Sequence, residues 1–77
     1  MNTERLFNVV LLELTTDKMQ IEDNLEQALA STDNIQVKSM RIKDLVARLA
    51  AVESTINKFN AMVSINNNEN NKETKTN

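Results

Sequence analysis

The stretch IQVKSMRIKDLVARLAAVESTINKFNAMV, residues 35–63, decides the fold of this chain. Apolar residues recur in it every three or four positions, which is the spacing of a heptad repeat. The a positions are Ile35, Ile42, Leu49, Ile56 and Val63, and the d positions are Lys38, Leu45, Val52 and Phe59. A repeat of 3.5 residues places these side chains along one line of an α-helix, here called the seam. The seam has to be covered by a second helix, so we predict a long helix that packs against another one.

The composition narrows the fold class. The 77-residue chain contains no Gly, Pro, Cys or His. Without Gly or Pro, tight turns and phosphate-binding loops lack the residues that adopt positive φ most readily, so an all-α fold is predicted. Without Cys or His, disulfides and the usual zinc sites are excluded. A chain this short buries a thin core, and an oligomer or a complex is the remaining source of stabilisation.

A polar run divides the chain into two helical segments. Residues 31–34 read STDN, and all four side chains favour caps and turns. Asp33 and Gln36 have the spacing of a capping box that opens the second helix. We predict an antiparallel helical hairpin over residues 1–65, with helix 1 at about 3–30, a turn at 31–33 and helix 2 at about 34–65. One continuous helix is the competing interpretation.

The end of the chain differs in composition. Residues 66–77 read NNNENNKETKTN, without an apolar side chain. Such a segment cannot offset its loss of conformational entropy by burial, so we predict that this Asn-rich tail is disordered.

Pairing of the two predicted helices defines a hairpin seam. Its members are Leu11, Leu14, Ile21, Leu25, Ile42, Leu45, Leu49, Val52, Ile56 and Phe59. Packing about the turn predicts that Ile21 faces Ile42, Leu14 faces Leu49 and Leu11 faces Val52. The same register brings Asp17 near Arg48 and Asn24 near Arg41, so acids of helix 1 would face bases of helix 2.

Lys18 interrupts the seam at an a position. Either its stem follows the seam and its charge reaches water, which we favour, or helix 1 kinks there and leaves Leu6–Leu14 as a separate arm.

The predicted functional feature is apolar surface beyond the seam. Seven of the nine residues at 6–14 are apolar, more than one face of a hairpin helix needs. We predict a protein-binding site at Leu6, Val9, Val10, Leu12 and Met19. Helix 2 adds off-seam apolar residues at Val37, Met40, Val46, Met62 and Ile65. Such patches mark interfaces, so the partner is another helical protein or a second copy in a four-helix bundle.

Other classes of function are disfavoured. No His or Cys is present to act as base or nucleophile, and we predict no catalytic, cofactor-binding or metal site. The basic cluster of helix 2 has no interleaved aromatic residues, which argues against nucleic acid. Asp44 and Glu53 lie among these bases, which argues against a membrane-surface helix. The run Leu6–Leu14 is too short for a signal or a span, so we expect a cytoplasmic protein.

Three segments resemble the small helical-hairpin co-chaperones of type III secretion needle subunits. They are LFNVVLLEL at 6–14, IEDNLEQAL at 21–29 and DLVARLAAVESTINKF at 44–59. The resemblance implies a cytoplasmic hairpin that joins a second, helical-repeat chaperone to keep a secreted helical subunit monomeric. It also implies that the first arm, with Leu6, Val9, Val10 and Leu12, is the docking face.

The function expected from the sequence is therefore a protein-binding adaptor or co-chaperone for a helical secretion-system subunit. The alternative is a self-assembling structural or regulatory four-helix bundle, including an RNA-binding phage or plasmid protein.

Overall fold

The computed structural model describes the backbone of residues 3–76 and the side chains of residues 3–66. Two α-helices account for the fold: α1 spans Thr3–Ala30 and α2 spans Ile35–Thr76. They pack against each other as an antiparallel pair joined by residues 31–34. The predicted all-α helical hairpin is confirmed, and the alternative of one continuous helix is wrong because residues 31–34 leave the helical conformation.

The predicted seam is the line along which the helices meet. All ten predicted seam residues are buried or half-buried, with Leu45 the most enclosed at 7% exposure. Ala28, one further heptad step along α1, is fully buried. The remaining seam side chains keep part of their surface in water because two helices cover each other from one side only. The two helices therefore meet along the predicted seam residues, but few side chains between them are fully buried.

The register of the two helices differs from the predicted one. Lys18 Nζ lies 3.5 Å from Glu53 Oε2, although the predicted register places Lys18 across from Leu45. The rings of Phe7 and Phe59 meet edge to face, with centroids 5.7 Å apart. Relative to the predicted register, the first contact displaces α2 by eight residues and the second by three, a range that includes one heptad. A seven-residue shift brings the same set of seam side chains back to the interface, so the heptad pattern has no preference between the two registers.

The turn explains which register forms. Asn34 Oδ1 accepts the backbone N–H of Val37 at 2.9 Å, so Asn34 is the N-cap of α2. The predicted capping box of Asp33 and Gln36 is wrong by one position. Ser31 Oγ accepts the N–H of Asp33 at 3.0 Å. Ile35, the first a residue of the repeat, is 82% exposed, so α2 starts beyond the end of α1.

Lys38, the one polar d residue of the repeat, also acts at the turn. Its Nζ donates to the carbonyl oxygen of Ser31 at 3.2 Å, just past the carboxyl end of α1. A cation at that end interacts favourably with the helix dipole.

We expect Asn34→Ala to destabilise the hairpin by about 1 kcal/mol, because the Val37 N–H loses its acceptor. Thermal unfolding followed by circular dichroism at a fixed protein concentration measures this loss. Asp33→Ala is the matched control, since no side-chain hydrogen bond of Asp33 caps α2 within the described residues. Equal melting temperatures for the two variants would show that the cap is elsewhere.

α1 continues without interruption through Lys18. Thr15 and Thr16 each donate a hydroxyl hydrogen bond of 2.8 Å to the carbonyl four residues earlier, so both are satisfied inside the helix. Lys18 is half-buried along the seam and its ammonium group reaches Glu53. The alternative of a separate arm at Leu6–Leu14 is therefore not formed.

Asp17 and Arg48 border the same depression, as predicted, but they form no ion pair among the described side chains. Arg48 Nε pairs with Asp44 Oδ2 at 3.1 Å, one turn earlier on its own helix, instead of with Asp17. Asn24 and Arg41 form no hydrogen bond there. A pair four residues apart on one helix forms in any register, whereas a pair across the seam depends on the register.

The last helical turns extend past the predicted boundary. α2 runs to Thr76, beyond the end near residue 65 that the sequence predicts, and the disorder of residues 66–77 stays a prediction. The segment contains no Gly or Pro that would stop a helix, so its backbone continues the one before it. Asn77, like Met1 and Asn2, lies outside the described residues.

Candidate protein-docking site

Large apolar side chains lie on the outside of the hairpin. Those exposed between 44% and 82% are Leu6, Val9, Leu12, Met19, Leu29, Ile35, Val37, Met40, Val46, Met62 and Ile65. Four of the five residues predicted to bind a protein are among them: Leu6, Val9, Leu12 and Met19. Val10 is the exception. It is half-buried because it lies beside the seam, three residues after Phe7.

Most of the exposed residues flank the seam on one side or the other, whereas Val9 and Met40 lie at outward-facing f positions. In α1, whose seam runs through Leu11 and Leu14, the heptad order places Leu6 and Val10 on one side of this line. The same order places Leu12 and Met19 on the other side. Each side contains its own apolar groove between the helices, so the single site that the sequence predicts is divided into two.

The first groove lies at the end of the hairpin that is far from the turn. It is a shallow apolar depression of about 340 Å³. Its walls are Phe7, Phe59, Met62, Val63, Ile65 and Asn66. We define the open-end patch as these six residues together with Leu6 and Val10, which flank Phe7 on α1.

The two phenylalanines form the floor of the open-end patch. Their rings stand at 85° to each other, an edge-to-face contact that aromatic pairs prefer. α1 begins at Thr3, only four residues before Phe7, so little of α1 is left to cover the rings from that end. Both residues remain half-exposed, and the depression opens beside them.

The second groove lies on the other side of the seam, nearer the turn. It has a volume of about 480 Å³. Its walls are Met19, Glu22, Asp23, Leu25, Glu26, Leu29 and Leu49. We call it the acidic groove, because three carboxylates and no base border its apolar floor. None of these three carboxylates has an ion-pair partner within the described part of the chain.

Sequence reasoning missed part of both grooves. It assigned Phe7 and Phe59 to the seam alone. Both residues lie near the end of the seam that is far from the turn, and their rings are partly uncovered there. It did not single out Leu29 and Ile35, which become exposed because the turn carries the start of α2 past the end of α1. The signal for both was the distance of each residue from an end of the hairpin.

The described residues contain neither a metal-binding cluster nor a membrane-spanning helix. Within residues 3–66 no three acidic side chains are placed so that they could share a metal ion. No helix in the described range combines the length and the apolar character needed to cross a membrane.

Comparison with known proteins adds no relative. No family model, no curated protein and no solved structure matches the chain.

Proposed function

We propose that this hairpin is a protein-binding module that receives the apolar face of a partner helix at the open-end patch. One observation carries the proposal. Among the side chains of residues 3–66, eleven large apolar ones are at least 44% exposed, whereas only Ala28 and Leu45 are buried. A molecule with more apolar side chains outside than inside lowers its free energy when a partner covers them.

The shape and lining of the patch favour a helix as the ligand. The depression runs between two antiparallel helices, and a third helix can lie along such a groove and insert residues spaced three or four apart. Asn66 is its one polar wall, so recognition rests on apolar contact. Phe7 and Phe59 provide a firm aromatic floor, and aromatic residues are frequent at the energetic centre of interfaces.

The finer role is that of an adaptor or co-chaperone. In this role the hairpin shields the amphipathic helix of a secretion-system subunit together with a second chaperone. This part of the proposal rests on the resemblance of segments 6–14, 21–29 and 44–59 to needle-subunit co-chaperones. The open-end patch includes Leu6 and Val10 of the first of these segments, which is consistent with a docking face on α1.

Co-expression with a candidate helical partner, followed by size exclusion with mass determination, tests the proposal. We expect a stable complex with the wild-type chain and a loss of affinity of at least about tenfold for Met62→Asp, which places a charge in the apolar patch. Ser54→Asp, an exposed polar position on the outer face of α2, is the matched control and should bind as the wild type does.

Circular dichroism of each variant shows whether the hairpin is intact. Equal binding by Met62→Asp and Ser54→Asp would remove the open-end patch from the interface. A homo-oligomer that ignores every candidate partner would contradict the adaptor role and favour the self-assembling alternative.

A further inference from the structure

We propose that the side of the hairpin that holds the acidic groove binds a second copy of this chain. The product is a four-helix bundle with both turns at the same end. This second-copy face consists of Leu12, Met19, Glu22, Glu26, Leu29, Lys43, Val46 and Ala50. It lies across the seam from the open-end patch, so the two proposals concern different surfaces and a foreign partner can bind to the dimer.

The first argument is the lack of a closed core. Leu25 and Leu49 belong to the seam, yet both border the acidic groove because nothing covers them from that side. Met19 and Leu29 border the same groove and are 60% and 56% exposed. A second layer of two helices placed here would bury all four residues at once, which is how hairpins complete four-helix bundles.

The second argument is the size of the face. The face spans residues 12–29 of α1, which corresponds to a length of about 27 Å. The hairpin is 18 Å across. Two such faces cover about 1,000 Å² in total, which reaches the lower limit for specific protein interfaces. A second copy of the chain therefore offers enough surface for an interface through this face alone.

The third argument is charge complementarity. Glu22, Glu26 and Lys43 project on this side without an ion-pair partner in the described structure. Within the hairpin, Lys18 on α1 is level with Glu53 on α2. Eight residues closer to the turn on each helix, Glu26 of α1 is level with Leu45 of α2. Lys43 lies about half a helical turn from Leu45.

A twofold axis parallel to the helices places α1 of one copy over α2 of the other at the same height. Because the axis preserves height, Glu26 of each copy then lies within reach of Lys43 of the other copy. The symmetry produces this pair twice. It also places acids of α1 opposite a base of α2, the complementarity that the sequence predicts within one hairpin.

A charge exchange across the interface tests the proposal by sedimentation equilibrium. The wild type is expected to be a dimer. Glu26→Lys and Lys43→Glu each place like charges at both symmetric positions, and each should weaken the dimer by about tenfold. An equimolar mixture of the two variants should recover the affinity as a mixed dimer, because both contacts in that dimer join opposite charges.

An apolar variant gives a second measurement. Met19→Asp should weaken dimerisation by about a hundredfold, because it places a charge in the centre of the interface. Gln20→Asp, one residue away on the opposite side of the seam, is the control and should dimerise as the wild type does. Circular dichroism confirms that each variant remains helical.

Three results would overturn the proposal. The first is a wild-type chain that stays monomeric at every concentration. The second is a mixture of Glu26→Lys and Lys43→Glu that dimerises no better than either alone. The third is a dimer that withstands Met19→Asp but is lost in Met62→Asp, which would move the second copy to the open-end patch.

Discussion

Leu45→Asp is expected to unfold the hairpin. Leu45 is the most enclosed large side chain of the seam, at 7% exposure. The substitution removes its apolar contacts and places a carboxylate where water is excluded. We expect a loss of about 3–5 kcal/mol, as much as a core of this size supplies in total. Far-ultraviolet circular dichroism should show the loss of helix at room temperature.

Ala47→Asp is the matched control for this experiment. It introduces the same side chain two residues later, on the exposed outer face of α2, and should leave the helical signal unchanged. A Leu45→Asp protein that melts cooperatively at the wild-type temperature would show that the seam does not hold the hairpin together.

Phe59→Ala is expected to have the second largest effect. Phe59 meets Phe7 edge to face and closes the end of the seam that is far from the turn. The substitution removes this contact and most of the floor of the open-end patch. Phe59 is half-buried, so the loss should be about 2 kcal/mol, below the value for a fully buried ring. Urea unfolding at a fixed protein concentration measures the change.

Phe59→Leu separates the loss of volume from the loss of the aromatic contact. It keeps an apolar side chain in the seam and should cost about 1 kcal/mol, the size of an aromatic pair interaction. Equal stability of the wild type and both variants would mean that the far end of the hairpin is open in solution. The contact between Phe7 and Phe59 would then contribute nothing.

The sequence predicted the seam residues correctly because their evidence is local. Each of Leu14, Ile21, Leu45 and Leu49 occurs three or four residues from the next apolar seam residue, and that spacing defines one face of a helix in any fold. The bounds of α1 could be predicted for a similar reason. Thr3 opens the helix, and the polar run after Ala30 supplies the side chains that end it.

The sequence predicted where the turn lies, but not which of its side chains form the hydrogen bonds that shape it. Four cap-forming side chains in a row make several caps possible, and the structure selects Asn34 and Ser31. Asp17 lies near Arg48 as predicted, but the ion pair of Arg48 is with Asp44, which can reach it in any register.

The sequence predicted which apolar residues belong to the candidate site, but not how they are divided between two surfaces of the hairpin. An excess of apolar residues at 6–14 was visible in the sequence, and three of the seven, Leu6, Val9 and Leu12, are exposed. Their division between the open-end patch and the second-copy face depends on where the other helix lies. The same is true of Phe7 and Phe59, which join a groove only because they lie at the end of the hairpin.

The sequence by itself determined that this protein is an all-α hairpin and which side chains form its seam, since a 3.5-residue period specifies a helix face without reference to any partner. Only the tertiary structure decided how the two helices are aligned and which apolar side chains share a surface. The physical reason is that a heptad repeat matches itself after a shift of seven residues. The turn at 31–34, with its cap at Asn34, selects one of these equivalent alignments. That alignment divides the remaining apolar surface into two faces.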